Sequence, residues 1–276
     1  FGNLWNNTCS LSICHSWSVA PGIALKPPND SKTYSGANTL FYPLNPKNNF
    51  LPDINIMESK ITSKTKAILI NSPSNPTGTV FSKDLICKIY ELCEKHDLYL
   101  ISDEVYSRMI YDNEQIFFSP GTLDKCKERT IVINGFSKSF AMTGWRVGVV
   151  IAPEDLSEKI TLISESIVSC VPGFVQDGAK EAITSSNSIT NEMYTSLRSR
   201  QISICEQLRT VKNISCSTPQ GSIYVFPCIK KIAKSSESFA FHLLKETGIA
   251  CLPGIYFGSE GEGYLRFSSS ANDKHI

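Results

Sequence analysis

AILINSPSNPTGTVFSKDLICKIYELCEKHDLYLISDEVY, residues 67–106, contains the clearest indication of the fold class of this chain. Its two apolar runs, AILIN and LYLIS, indicate β-strands that are buried on both faces. Between them, apolar residues from Leu85 to Cys93 recur at helical spacing, and Ser82 precedes them as a candidate N-cap. A strand, a helix and a strand in this order form a parallel pair with a right-handed crossover. The stretch therefore predicts an α/β domain.

Two further apolar runs extend the predicted sheet. TIVIN (130–134) and VGVVIA (147–152) are rich in β-branched residues, and the loop GFSKSFAMTGWRVG (135–148) joins them. This loop is too short for a helical crossover, so these two strands could pair antiparallel. The sequence therefore predicts a sheet that is mostly parallel but mixed.

The pattern changes after Pro153, first to helices and then to a mixture of helices and strands. The elements predicted there are helices at 154–168, 175–184 and 191–212, a strand at 222–229, a helix at 235–248 and short strands at 250–254 and 264–269. The predicted fold class is therefore a three-layer α/β/α large domain with a mixed sheet, plus a smaller α+β C-terminal domain.

The expected domain boundaries follow these changes. Residues 1–40 are rich in Asn, Ser and Pro and form an irregular N-terminal segment to which we assign no element. Residues 41–185 form the large domain, and residues 186–276 form the small domain together with its connecting helix.

Composition and charge favour small-molecule chemistry. The chain has 276 residues, of which 41% are hydrophobic and 19% charged, and its formal net charge is +1. A nearly neutral chain has no global field that would recruit nucleic acid or an anionic membrane. It also has no apolar run near the roughly 20 residues that span a bilayer. We therefore expect neither a nucleic-acid partner nor a membrane partner.

The cysteines and histidines do not form a recognisable metal or disulfide pattern. The ten cysteines are scattered without a CxxC pair, and the four histidines are isolated from one another in the sequence. A reduced cysteine in an apolar pattern behaves as a small hydrophobic residue. We therefore expect a reducing, cytoplasmic location and no bound metal.

Polar residues follow the predicted strands at the points where each strand ends. Asn75 follows AILIN, Asp103 and Tyr106 follow LYLIS, and Lys138 and Arg146 follow TIVIN. Taken singly, these residues could be a turn amide, a helix cap or a solvated cation. Because ligand sites lie at the carboxyl ends of parallel strands, we expect them to converge on one site.

The motifs around these residues, together with one near the end of the chain, resemble those of a known family. NSPSNPTGTV (71–80), ISDEVYSRMIYD (101–112) and SKSFAMTGWRVG (137–148) are similar to the three core motifs of the class I/II aminotransferases. YLRFSSS (264–270) is similar to their fourth motif. The resemblance covers about residues 41–270 in the family's order and spacing. It implies a pyridoxal-phosphate-dependent enzyme of fold type I.

The resemblance assigns cofactor roles to four of these residues. Lys138 would form the Schiff base with the pyridoxal 5'-phosphate aldehyde and then act as the base that moves the substrate's α proton. Asp103 would face the pyridine nitrogen, where a carboxylate keeps the ring protonated as an electron sink. Asn75 and Tyr106 would contact the 3-oxygen of the ring. A lysine amine reacts only when it is neutral, and an apolar loop with a nearby cation favours that form.

The resemblance also assigns the anionic groups of cofactor and substrate. Arg146 would bind the cofactor phosphate, with Ser137 as a weaker phosphate ligand. Arg266, together with Asn75, would bind the α-carboxylate of the substrate. A guanidinium group can donate two parallel hydrogen bonds to the oxygens of a carboxylate or a phosphate. An ordinary strand arginine paired with a nearby acid is the alternative for Arg266. The resemblance further implies a cis peptide bond between Asn75 and Pro76.

The implied activity is transfer of an amino group between an α-amino acid and a 2-oxo acid, in a family that forms homodimers. The family's N-terminal phosphate turn, ring-stacking aromatic residue and tyrosine lent to the partner subunit are not recognisable in residues 1–40. We therefore expect a chain truncated at both ends relative to the family. A β-lyase, a decarboxylase, an inactive fragment and a noncatalytic ligand-binding module of the same fold stay open as alternatives.

Overall fold

The structure is a computed structural model that describes residues 40–111, 116–185 and 188–276. The predicted irregular segment at residues 1–40 lies outside the described residues except for residue 40. A two-stranded hairpin of β1 (Leu44–Asn45) and β2 (Leu51–Pro52) begins the described chain, and the short helix α1 (Ile54–Ser59) follows it.

A four-stranded mixed sheet forms the centre of the first half. Its strands lie in chain order and are β3 (Ala67–Asn71), β4 (Tyr99–Asp103), β5 (Thr130–Gly135) and β6 (Gly148–Ile151). The first three are parallel, whereas β6 pairs antiparallel with β5. The predicted α/β fold class and the predicted antiparallel pair are therefore confirmed.

The crossover between β3 and β4 is the helix α2 (Lys83–Lys95). It begins where predicted, because the Ser82 side chain accepts a hydrogen bond from the Leu85 N–H at 3.3 Å. The apolar side of α2 packs with Ile70 and Leu100 on one face of the sheet. The opposite face, which carries Leu69, is only half-buried. Within the described residues, the second face of these two strands is therefore less buried than the sequence pattern predicts.

Short and long helices complete the first half and lead into the second. They are α3 (Gly121–Asp124), α4 (Phe136–Ser139), α5 (Glu154–Val168), α6 (Gly173–Thr184) and α7 (Ser188–Thr210). The three long helices α5, α6 and α7 confirm the helical patterns read from the sequence after Pro153. None of the helices in the described ranges is both long enough and apolar enough to cross a membrane.

The second half ends in a small antiparallel sheet and one helix. The sheet has the order β7 (Tyr224–Val225), β9 (Leu265–Ser268) and β8 (Leu252–Pro253). The helix α8 (Ser236–Thr247) ends at Gly248, which adopts the left-handed conformation with a φ of 74°.

Strand β7 is shorter than the strand predicted at 222–229. The reason is Pro227, which has no N–H to donate to a ladder, although its carbonyl accepts a hydrogen bond from the Leu265 N–H at 3.1 Å. Past this residue, Cys228 forms only isolated bridges to neighbouring segments.

Candidate active site

Among the contacts between the two halves of the molecule is a hydrogen bond from strand β9 to the loop that follows β3. Arg266 Nη1 donates a hydrogen bond to Asn75 Oδ1 at 2.8 Å, across 191 positions of sequence. The Asn75 side chain is presented by a tight turn, in which the Asn75 N–H donates to Asn71 Oδ1 at 2.7 Å. The Asn75–Pro76 peptide bond is cis, as the family resemblance implied.

Two aromatic rings pack against the Arg266 guanidinium. Its central carbon lies 4.2 Å from the centroid of the Tyr224 ring and 5.0 Å from that of Phe257. Such contacts orient a cation and leave its outer N–H donors free. Within the described ranges, no carboxylate forms an ion pair with Arg266. The alternative of an ordinary strand arginine paired with an acid is therefore not supported.

Tyr224 also links Arg266 to Tyr106. The two phenol oxygens are 3.0 Å apart, and the two rings meet edge to face with centroids separated by 5.8 Å. Burial, the neighbouring Tyr224 and the charge of Asp103 raise the pKa of Tyr106 well above its usual value, while Arg266 lowers it. The Tyr106 hydroxyl is therefore protonated at neutral pH and is available as a hydrogen-bond donor or acceptor.

Asp103 is the last residue of β4 and lies directly opposite Asn71, the last residue of β3. Its carboxylate is half-buried and, among the described residues, accepts one hydrogen bond, from the Val105 N–H at 3.2 Å. Burial raises the pKa of Asp103 to about 6 despite that bond. A buried carboxylate with so few donors favours a cationic or N–H partner at its free oxygen.

Glu104, the next residue, is a second buried carboxyl that the sequence interpretation passed over. Only 4% of its surface is exposed, and it accepts hydrogen bonds from the hydroxyls of Ser102 at 3.0 Å and Ser119 at 2.6 Å. Burial raises the pKa of Glu104 to about 7. Its sequence signal is its place next to Asp103, at the end of the apolar run LYLIS.

Lys138 projects from the short helix α4, which follows β5. The helix is anchored at Ser139, whose carbonyl accepts the Tyr194 hydroxyl at 2.7 Å and whose own hydroxyl donates to the Val105 carbonyl at 3.4 Å. These bonds tie α4 to α7 and to the loop that follows Asp103. Lys138 itself is half-buried, and no hydrogen bond or ion pair joins its amine to another residue in the described part of the chain.

Arg146 and Ser137, the other two residues predicted at this site, form no hydrogen bond with the residues above in the described part of the chain. Arg146 is exposed, adopts a left-handed φ of 52°, and donates from Nη1 to the Thr143 carbonyl of its own loop at 3.0 Å. The loop is positioned by Trp145, whose ring lies so close to Gly178 of α6 that a β-carbon there would clash at 2.5 Å. The Ser137 hydroxyl has no hydrogen-bond partner among the described residues.

The structure therefore brings only some of the predicted site residues into direct contact. Asn75, Arg266, Tyr224 and Tyr106 form one continuous chain of contacts. Tyr224 and Phe257 were absent from the sequence-based set. Their signal was weak, because aromatic residues in short apolar segments usually serve as packing. In the described ranges, no group of three metal-ligating side chains is arranged to hold a metal ion.

Comparisons with known proteins identify one family for this chain. The family model for aminotransferase class I and II matches residues 29–275. The chain is 37% identical over 240 residues to an aspartate aminotransferase of Pyrococcus horikoshii, covering 85% of this chain and 60% of that protein. It is 36% identical over 253 residues to aromatic-amino-acid aminotransferase 2 of Thermococcus litoralis, covering 91% of this chain and 62% of that protein.

The solved structures give the same result for the fold. The crystal structure of an aromatic aminotransferase from Pyrococcus horikoshii superposes with a TM-score of 0.81 at 36% identity, covering 86% of this chain and 63% of the other. An aspartate aminotransferase from Thermotoga maritima gives 0.80 at 30% identity, covering 87% and 61%. The chain spans about 60% of the length of the relatives it matches. Both kinds of comparison show that the chain belongs to the class I and II aminotransferase family.

Proposed function

We propose that the protein is a pyridoxal-phosphate-dependent aminotransferase that moves an amino group between an α-amino acid and a 2-oxo acid. The observation that carries this proposal is the Arg266–Asn75 contact at 2.8 Å. It supports a carboxylate site, because a half-buried guanidinium is held by an amide and two rings while no described carboxylate neutralises it.

The residues fit the proposed cofactor on chemical grounds. The Asp103 carboxylate accepts a single hydrogen bond and is half-buried, which suits a protonated ring nitrogen. The Lys138 amine has no partner in the described part of the chain, which suits a group that must react. The phenol of Tyr106 and the amide of Asn75 lie within one contact network and would serve the ring's 3-oxygen. When bound, pyridoxal phosphate supplies the electron sink that stabilises negative charge at the substrate's α carbon.

Each side chain then has a distinct task. Lys138 would bind the cofactor covalently through Nζ, and after substrate exchange the same nitrogen would act as the base that moves the substrate's α proton. Asp103 would keep the ring nitrogen protonated, because a carboxylate facing a cation favours the charged pair. Two hydrogen bonds hold the helix α4, and they would fix the position from which the Lys138 amine acts.

Arg266 would bind the substrate α-carboxylate with the donors that Asn75 does not use. The guanidinium remains charged although burial lowers the pKa of Arg266. Two parallel N–H donors match a carboxylate and would set the orientation of the α carbon. Tyr224 would act as a positioning residue, because its ring supports the guanidinium and its hydroxyl is tied to Tyr106.

Arg146 and Ser137 would bind the cofactor phosphate. Both lie on the loop and helix that follow β5, and both have donors at or near the surface. Arg146 would exchange its bond to the Thr143 carbonyl for bonds to the phosphate oxygens. Charge-assisted bonds of this kind are stronger than the bond that they would replace.

The names of the relatives support an amino acid substrate without selecting its side chain. One is named for aspartate and another for aromatic amino acids. Product analysis with candidate amino acids distinguishes amino transfer from β-elimination and decarboxylation, since the three reactions give different products from the same substrate.

A homodimer is the proposed assembly. The helix α5 has no buried residue, and Ile163, Ile167 and nearby Phe174 are 59%, 74% and 72% exposed. Exposed large apolar side chains on a helix without buried residues favour an interface. The division into residues 41–185 and 186–276 as two domains, and the cytoplasmic location, belong to the same proposal. The eight described cysteines are all free, in agreement with a reducing compartment.

The test is absorbance titration with pyridoxal phosphate. The protein should develop the visible band of lysine-bound cofactor, and Lys138→Ala should not. Lys159→Ala is the matched control, because Lys159 is 69% exposed on α5 and lies outside the site. A folded protein that develops no band, or a band that survives in Lys138→Ala, would contradict the proposed function.

A further inference from the structure

Two cysteines of the second half have their sulfur atoms in direct contact. Cys205 lies in α7, and Cys216 lies in the loop between α7 and β7. The two Sγ atoms are 3.6 Å apart, with the Cys216 thiol donating to the Cys205 sulfur. Neither residue has a place in the proposed transamination site.

The backbone on both sides of this pair is fixed by one arginine. Arg209 of α7 donates from Nε to the Cys216 carbonyl at 2.9 Å and from Nη2 to the Thr218 hydroxyl at 2.6 Å. These two hydrogen bonds attach the loop that carries Cys216 to the helix that carries Cys205. A disulfide needs its sulfurs roughly 2 Å apart, so bond formation brings these two sulfurs closer by about 1.6 Å.

The surroundings of the pair restrict what can react with it. Cys205 is fully buried and Cys216 is 9% exposed, and the pair packs against Val225 and Phe267. The hydrogen bond from Cys216 lowers the pKa of the Cys205 thiol, and Arg209 lowers it further, whereas the same bond and burial raise the pKa of Cys216. Because both thiols lie below the surface, a small oxidant has better access to the pair than a bulky thiol.

We propose that Cys205 and Cys216 form a reversible disulfide site for a peroxide. The thiolate of one cysteine of the pair attacks one oxygen of hydrogen peroxide, so that an S–O bond forms, the O–O bond breaks and hydroxide leaves. The sulfur of the other cysteine, 3.6 Å away, then attacks the oxidised sulfur, the S–S bond forms, and the hydroxyl departs as water with the second thiol's proton. In sum, two thiols lose two electrons to one peroxide, and a dithiol reductant returns them. Transient disulfides of this kind are the usual ones in reducing compartments.

The two sulfurs lie behind the strands that carry the proposed carboxylate site. Val225 and Phe267 are cross-strand partners in β7 and β9, and each directly follows a site residue, Tyr224 and Arg266 respectively. The proposed disulfide is nevertheless independent of the proposed function, since its formation is a property of the two thiols alone.

The experiment is thiol mapping after mild oxidation. Reduced protein is treated with a small excess of hydrogen peroxide, the remaining thiols are alkylated, and the digest with trypsin and chymotrypsin is analysed by mass spectrometry. Chymotrypsin is needed because cleavage after Tyr224 separates Cys216 from Cys228. We expect a linked pair of peptides that contain Cys205 and Cys216, a loss of two thiols per chain, and recovery of both with dithiothreitol.

Three variants serve as comparisons. Cys205→Ser and Cys216→Ser should each abolish the link, whereas Cys170→Ser should retain it, because Cys170 is exposed and outside the pair. The wild-type map decides the question even where a serine variant fails to fold. Free Cys205 and Cys216 after other cysteines have reacted, a link between either one and Cys228, or irreversible oxidation of the pair would overturn the proposal.

Discussion

The Arg266 region and the Arg146 loop both present a guanidinium, but the two are held in different ways. Arg266 is half-buried, bonded to an asparagine from the other half of the chain and supported by two aromatic rings. Arg146 is exposed and, in the described part of the chain, donates a hydrogen bond only to a carbonyl three residues away in its own loop. The first arginine is therefore preorganised for its proposed anion, whereas the second must reorient to bind one. Substitutions in the Arg266 region should therefore weaken ligand binding more than substitutions in the Arg146 loop.

Asp103→Asn should give the largest effect, because the amide cannot keep a ring nitrogen protonated. We expect the rate of amino transfer to fall by roughly 10³-fold, the scale of losing a preorganised electrostatic contact. Steady-state rates with saturating pyridoxal phosphate measure the loss, and circular dichroism verifies the fold. A rate within a factor of ten of the wild type would remove Asp103 from the proposed machinery.

Arg266→Lys tests the buried guanidinium while retaining its positive charge. A lysine cannot donate two parallel bonds, so we expect KM for the amino acid to rise by about 100-fold, the value of one or two charge-assisted bonds. Cofactor affinity, followed by absorbance, should stay near that of the wild type. Arg266→Ala should show the same separation with a larger effect. An equal loss of both affinities would mean that Arg266 has only a structural role.

Glu104→Gln tests how much the buried charge of Glu104, next to Asp103, destabilises the folded protein. The pKa of Glu104 is about 7 in the folded protein, above its usual value of 4.5. Between pH 4.5 and about pH 7, the folded protein therefore holds a proton on Glu104 that the unfolded chain has lost. The free energy of unfolding falls as the pH rises through this range. The glutamine variant should be more stable than the wild type by about 2 kcal/mol at pH 8 and by much less at pH 5.

Thermal or urea unfolding at the two pH values measures this difference. Glu246→Gln is the control, because Glu246 is exposed on α8 and should show no such pH dependence. A gain that is equal at pH 5 and pH 8 would exclude the titration of Glu104 as its cause.

Arg146→Ala should weaken cofactor binding by about tenfold, which corresponds to roughly 1.4 kcal/mol. The effect is modest because the arginine is exposed and its phosphate bond replaces an existing bond to Thr143. Equilibrium titration with pyridoxal phosphate measures it, with the exposed Lys127→Ala as control. A loss as large as that of Arg266→Lys on substrate would reverse the comparison between the two arginines.

Tyr224→Phe should give the smallest effect. The ring that supports Arg266 remains, while the Tyr106 hydroxyl loses its partner at a cost of about 1 kcal/mol. We expect KM for the amino acid to rise about fivefold with the absorbance of bound cofactor unchanged. Tyr224→Ala, which also removes the cation–π contact, should cost clearly more. Equal effects of the two variants would show that the ring does not position Arg266.

The local features of the fold were accessible from the sequence, and the contacts across the fold were not. Ser82 and the helical spacing after it predict α2, because capping and periodicity depend on neighbouring residues. The Arg266–Asn75 contact spans 191 positions, and only the family resemblance brought these residues together. Tyr224 was missed because nothing in SIYVFP distinguishes a supporting ring from core packing. Glu104 was missed because its buried hydroxyl partners are supplied by the fold.

The central claim is that Lys138 is the covalent attachment point of the cofactor. Incubation with pyridoxal phosphate, reduction with borohydride and peptide mapping by mass spectrometry test it directly. The account predicts that the pyridoxyl phosphate label is found on Lys138 and that the label disappears in Lys138→Ala. A label distributed over exposed lysines such as Lys127 and Lys159, with Lys138 unmodified, would contradict it.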